Sequence, residues 1–186
     1  MDQTISIMTV ATSNTSIRRD AMIVIAGALF IALCSRIEIP LYPVPITGQT
    51  FGVLFIGGVL GMMRGTAAAA LFVALGLSGL PVFSGGACGM SHLFGPTGGY
   101  LAGFIAAAAF VSALFRRGFG RTFSEKLAVM AGGNLVIYLF GITHLATFVG
   151  PERAFTCGIL PFLAGDLFKI FFAAALLPGR GVRGKS

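Results

Sequence analysis

Two residues of opposite charge stand three apart in an otherwise apolar stretch, Ala164-Gly165-Asp166-Leu167-Phe168-Lys169-Ile170-Phe171. On a helix that spacing puts a carboxylate and an ammonium on one face. Asp166 lies eight residues in from Gly158, about 12 Å at the helical rise, which is inside the hydrocarbon if the run crosses a membrane. Ionised groups there cost several kcal/mol each unless paired or turned toward a polar cavity, so they are read first as a functional site. A carboxylate and an ammonium together suit a solute that carries both donors and acceptors. The plainer use is an ion pair that closes a helix bundle. Asn134, in the middle of another apolar run, is a further candidate ligand partner, with a helix-to-helix hydrogen bond as its other use. A chemical role would recruit Asp166, Lys169 and His144 as acid, base or nucleophile, but no Ser-His pairing or metal-ligand spacing accompanies them.

The elements that must hold this pair follow from composition. Of 186 residues, 56% are apolar and only 10% charged, against about 25% charged in soluble domains. With a mean hydropathy of +0.92, too little polar surface remains to coat a globular core, so lipid is the expected solvent. At roughly 20 residues per crossing, this length holds six helices and no large extramembrane domain. Continuous apolar runs predict helices over about 18–37, 49–63, 66–83, 98–115, 125–149 and 157–178. The alternating pattern of an outer-membrane barrel is absent. The expected class is therefore all-α, a polytopic membrane protein with 1–186 as a single transmembrane domain.

Charge sets the orientation. Arg18, Arg19, Arg64, Arg116, Arg117, Arg121, Lys126, Arg180, Arg183 and Lys185 fall on one side of the six segments, and only Arg36 and Arg153 on the other. The positive-inside rule then makes both termini and the second and fourth loops cytoplasmic. The same charge does not predict nucleic-acid binding, because the aromatics sit in the apolar runs rather than interleaved with the basic residues.

Two other signals carry little chemistry. Cys34, Cys88 and Cys157 are odd in number and far apart, so neither a disulfide framework nor a metal site is expected, and no cofactor is implied. Gly179-Arg-Gly-Val-Arg-Gly184-Lys185-Ser186 matches a phosphate-loop pattern in letters. It lacks the preceding strand and following helix that the chemistry requires, and is read as a basic cytoplasmic tail without ATPase activity.

The outward loops are long, apolar and rich in Gly and Pro. The first runs Ile39-Pro-Leu-Tyr-Pro-Val-Pro-Ile-Thr47-Gly-Gln49-Thr50, and the third from Leu80-Pro-Val-Phe83-Ser84-Gly85-Gly86 to Gly95-Pro-Thr-Gly-Gly-Tyr100. Non-helical backbone at membrane depth is tolerated where it lines a cavity. Loops of this kind above an intramembrane charged pair predict a lid. His92 is expected to be a solvated loop residue, and His144 stands near the outer end of the fifth helix.

Taken together, Pro43-Val-Pro45-Ile-Thr47-Gly-Gln49-Thr50, Gly79-Leu-Pro-Val-Phe83 with Gly95-Pro-Thr-Gly-Gly-Tyr100, and Ala164-Gly-Asp166-Leu-Phe-Lys169 resemble the BioY family. These are the biotin-specific substrate-capture (S) subunits of energy-coupling factor (ECF) transporters. The resemblance covers most of the chain in the same order. It implies a six-helix subunit with cytoplasmic termini in a plasma membrane, the inner membrane in a bacterium. It also implies a transmembrane coupling (T) subunit and two ATPase subunits as partners, and no enzymatic activity of its own. One biotin would lie toward the outer side. Thr47 and Gln49 would belong to the lid, Phe83, Ser84, Gly85, Gly86 and Tyr100 to the pocket wall, and Asp166 and Lys169 to the polar anchor, with Asn134 beside them. Ala28 and Ala32, a small-xxx-small pair, would contact the T subunit; by spacing alone they serve equally for packing inside the subunit. Many members carry a Trp near the outer end of the fifth helix, where this chain has Gly141-Ile-Thr-His144-Leu145 and no Trp anywhere. A subunit for another small vitamin is the nearest alternative, and an intramembrane enzyme the more distant one.

Overall fold

The computed structural model describes residues 2–178, with side chains from Ser16 onward. Gly179–Ser186, and with it Arg180, Arg183, Lys185 and the phosphate-loop-like letters, lies outside the described residues. The chain is built from α1 (Asp2–Cys34), a two-stranded ribbon of β1 (Glu38–Ile39) and β2 (Ile46–Thr47), and α2 (Gln49–Leu77). After these come a 3₁₀ turn (Ser84–Gly86), α3 (Ser91–Phe94), α4 (Gly98–Arg116), α5 (Phe123–Val149), α6 (Pro151–Gly158) and α7 (Leu160–Leu176). Helices satisfy every backbone group internally, which is what an apolar solvent demands.

Among the described residues, α4 and α5 are each long and apolar enough to cross a membrane, α2 passes the same test only when its 29 residues are counted as one helix, and α6 with α7, bent by 41°, adds a further span when the pair is counted as one. α2 is itself two arms. Gly61 has φ 77°, ψ 178°, a conformation open only to glycine at no steric cost. The chain doubles back there, because a Cβ on Gly65 would lie 3.1 Å from the Ile56 carbonyl oxygen, whereas residues nine apart on one helix are separated by about 13 Å. With α1, six segments pack side by side, α2 lying against α1, α4 and α7, and α5 against α4 and α7. The hydroxyl of Ser112 on α4 donates to the Gly57 carbonyl at 2.7 Å, stitching α4 to the first arm.

Several boundaries differ from the sequence reading. The segment expected over 66–83 stops at Leu77, because Gly79 takes φ 102° and Pro81 cannot continue a helix. The last segment, expected as one helix over 157–178, is broken at Ile159 (φ −123°), with Pro161 in the first turn of α7, where its missing N–H costs nothing. The first helix ends at Cys34 instead of 37, since the chain turns there into a ribbon pairing Glu38 with Thr47 and Ile39 with Ile46.

The basic end is tied together by polar contacts. Arg64, just past the Gly61 reversal, pairs with Asp20 of α1 at 2.7 Å. Lys126 is buried, and its Nζ donates to the Leu177 carbonyl at 2.6 Å, just beyond the last turn of α7. A cation there also meets the negative end of the helix dipole. Lys126→Met is expected to lower the thermal unfolding midpoint by several degrees, with one hydrogen bond of a charged group lost. Ligand affinity should be unchanged, and unfolding followed by circular dichroism in detergent checks the first half.

The face of α1 that carries Gly27 and Ala28 is applied to α2, where a Cβ on Gly27 would meet the Ala68 Cβ at 2.9 Å. Ala28 is accordingly 1% exposed. The alternative of packing inside the subunit therefore describes Ala28, and Ala32 is half-buried. Met22, Ile25, Leu29 and Leu33 form the exposed stripe of this helix.

Candidate binding site

Asp166 is 2% exposed and is the hub of a buried polar cluster drawn from three helices. Its Oδ1 accepts from Lys169 Nζ at 2.8 Å and from Thr50 Oγ1 at 3.4 Å; its Oδ2 accepts from Tyr138 Oη at 2.5 Å and from Asn134 Nδ2 at 3.1 Å. Lys169 Nζ also donates to Thr50 Oγ1 at 3.2 Å. Each carboxylate oxygen thus has two donors, which is its full capacity. The arrangement explains how a charge pair persists in the apolar interior: attraction alone rarely offsets desolvation, and the added hydrogen bonds do. Asn134 and Tyr138 stand four apart on α5 and so share one face, while the break at Ile159 aims α7 at that face.

Above this cluster lies a cavity of about 380 Å³, walled by Phe83, Tyr100, Leu101, Phe104, Ile137 and Phe162, and closed by Tyr42–Pro45 of the ribbon. Apolar walls with a few convergent polar groups are the general form of a small-molecule site. Thr47, Gln49, Thr50, Tyr138, Asp166 and Lys169 supply polarity from the ribbon and the helices, and Ser84, Ser91, His92 and Thr97 from the third loop. Gln49 is held by Thr47, whose Oγ1 donates to Gln49 Oε1 at 3.2 Å. Among the described residues its buried Nε2 has no partner, nor has Asn134 Oδ1. A buried polar atom left without a partner costs about 1–3 kcal/mol, so Gln49 Nε2, on the cavity wall, is poised for a ligand.

Of the residues singled out in the sequence, Thr47, Gln49, Phe83, Ser84, Tyr100, Asp166 and Lys169 line this one cavity. Asn134 stands behind Asp166 and reaches it by hydrogen bond. Gly85 and Gly86 do not line it. They have φ 65° and 75° and form the turn that presents Ser84, beside the side chains of Glu38 and Arg36. His92, expected in solvent, lines the cavity with its ring 5.9 Å from that of Phe83. His144 does not join it. It lies in a separate groove between α4 and α5, its Nε2 3.1 Å from the Gly95 carbonyl oxygen, so Asp166, Lys169 and His144 do not converge. Thr50 and Tyr138 were not singled out; Tyr138, four residues after Asn134, was the legible signal.

Glycines make room for the aromatic wall. A Cβ on Gly141 would lie 2.4 Å from the Tyr100 ring. That ring is held in place by its hydroxyl, which donates to the Gly158 carbonyl at 3.0 Å, and by stacking on Phe162 at 6.4 Å. The third loop is fastened to the end of α1: Ser35 Oγ donates to the Val82 carbonyl at 2.6 Å, the Arg36 guanidinium to the Pro81 carbonyl, and Ser84 Oγ to the Glu38 carboxylate.

An all-helical multi-pass fold with a ligand-sized cavity over a buried charge cluster defines a membrane-embedded solute-binding protein. Residues 6–183 match the model of the BioY family. A probable biotin transporter BioY of Pyrococcus horikoshii is 43% identical over 145 residues, covering 76% of this chain and 85% of that relative. The biotin transporter BioY of Rhizobium etli is 41% identical over 161 residues, covering 82% and 84%. Among solved structures, the S-component for biotin from an ECF-type ABC transporter superposes with a TM-score of 0.77 at 27% identity, covering 88% of this chain and 91% of that one. The chain belongs to the BioY family.

Proposed function

We propose that the chain is the biotin-capturing S subunit of an ECF uptake transporter, a single transmembrane domain in the plasma membrane, which in a bacterium is the inner membrane. It works with a T subunit and two ATPase subunits and has no enzymatic activity of its own. The observation that carries the reading is the cavity end built on Asp166 and Lys169, with the unpaired Gln49 Nε2 beside them. The ureido group of biotin offers two N–H donors and one carbonyl acceptor. Asp166 takes a ureido N–H in place of the long 3.4 Å bond from Thr50, and Lys169, with a third proton to give, donates to the carbonyl. Asn134 completes this end, Thr47 in the ribbon and Gln49 at the start of α2 belong to the lid, and Ser84 with Phe83 and Tyr100 closes the rest around the thiophane ring.

The test is equilibrium binding to the purified full chain and uptake of labelled biotin by cells with and without the coupling ATPases. Stoichiometric binding without turnover, and concentrative uptake only with the ATPases, are expected; a chemically altered product would sink the reading. Removing the Tyr138 hydroxyl deprives the Asp166 carboxylate of its shortest hydrogen bond, so Tyr138→Phe should weaken biotin binding about tenfold, the order of one hydrogen bond to a charged group. Titration calorimetry measures it.

Partner contact falls to the exposed side of α1, with Ala32 at its edge. Ala32→Trp should abolish co-purification with the T subunit and leave biotin affinity intact. Loss of both together would instead mark Ala32 as an internal packing residue.

A further inference from the structure

The cavity's permanent charge is confined to one ion pair. Asp166 and Lys169 are the only charged side chains among its described lining residues, and they pair with each other at 2.8 Å at the end formed by α2, α5 and α7. The loop end of the lining is the third loop's share, Ser84, Ser91, His92 and Thr97, of which Ser91 is exposed. The nearest permanent charges there are Arg36 and Glu38, which flank the turn at Gly85 and Gly86. Neither lines the cavity, and both are engaged, Arg36 with the Pro81 carbonyl and Glu38 with the Ser84 hydroxyl. The loop end therefore holds hydroxyls, one imidazole and apolar rings, with no fixed cation aimed inward.

We propose that biotin, held by its ureido ring at the Asp166 end, leaves its carboxylate among neutral groups at the loop end, so that the site accepts amides of biotin as well as biotin itself. The inference rests on the biotin reading above and adds the ligand class to it: a ureido-thiophane head on a tail that need not be charged. Converting the carboxylate to an amide removes a charge, keeps a carbonyl acceptor and adds N–H donors. Hydroxyls such as those of Ser84, Ser91 and Thr97 can serve either group, since they both donate and accept. A site with a buried cation on the carboxylate would behave differently, because truncating one side of a desolvated charge pair costs about thirtyfold or more. A charge that stays in contact with solvent contributes about fivefold at most.

The experiment is competition against labelled biotin on the purified full chain, using unlabelled biotin, biotinamide and biotinyl-lysine. Affinities for biotinamide and biotinyl-lysine within about fivefold of that for biotin are expected, and the same ratios are expected in His92→Ala. A preference for biotin above fivefold in the unaltered chain overturns the proposal. If His92→Ala then erases that preference, the imidazole is the carboxylate's partner, which overturns it equally. Failure of biotin itself to bind would strike the functional reading, whereas biotin bound with its amides rejected strikes this inference alone.

Discussion

Asp166→Asn is expected to weaken biotin binding at least tenfold, measured by titration calorimetry on the purified chain. The substitution keeps the volume and removes the charge, and its amide nitrogen presents donors where one carboxylate oxygen had accepted, either from Tyr138 and Asn134 or from Thr50 and Lys169. At least one neighbour must turn away. The Lys169 ammonium, half-buried and deprived of its counterion, suffers most, with a cost below the roughly 3–5 kcal/mol of breaking a fully buried pair. The unfolding midpoint should fall with the affinity. A double variant separates the two effects: Asp166→Asn with Lys169→Met removes both charges, and apolar replacement of a buried pair is often neutral or stabilising. Thermal stability should return toward that of the unaltered chain, while biotin binding stays lost. Unchanged affinity in Asp166→Asn would remove this residue from the site.

Gly141→Ala should act through shape alone. The new methyl would lie 2.4, 2.5 and 2.6 Å from three atoms of the Tyr100 ring, well inside contact distance. The ring cannot yield without giving up its hydrogen bond to the Gly158 carbonyl and its stack on Phe162. Overpacking of this kind costs about 1–3 kcal/mol, and the displaced ring enters the cavity, so affinity should fall about tenfold along with the unfolding midpoint. Gly165→Ala is the matched control. It lies next to Asp166 in sequence, yet a Cβ there would meet nothing nearer than an Ile46 methyl at 4.0 Å. It should bind biotin normally and be slightly more stable, as helical Gly→Ala changes are where space allows. Equal behaviour of the two variants would show that the Tyr100 wall does not matter.

The helical architecture and the centre of the site were both legible because each leaves a local mark. Asp166 and Lys169 stand out in an apolar run, and their spacing fixes their common face. Tyr138 and Thr50 leave no such mark, since a Tyr or Thr in a membrane helix has many uses, and only the packing of α2 and α7 against the face shared with Asn134 gives them one. Gly61 was hidden among other glycines, and the apolar runs on either side suggested two helices without showing that they fold back on each other. For Ala28 and Ala32, small-residue spacing says that something packs closely but not what. The position of α2 decides it for Ala28. The break at Ile159 had its sign in Pro161, but hydropathy runs on unbroken across it.

The fastening of the third loop to the outer end of α1 makes two distant events one thermodynamic cycle. Ser35 and Arg36 hold Val82 and Pro81, and the next residue, Phe83, is cavity wall. A protein that seats on the exposed stripe of α1 and shifts its outer end therefore shifts Phe83 as well. Linkage then requires reciprocity: whatever factor such a partner imposes on ligand affinity, the ligand imposes on the partner's affinity. Were a partner to seat there, its grip on that membrane-facing surface would differ between the filled and the empty cavity by that same factor.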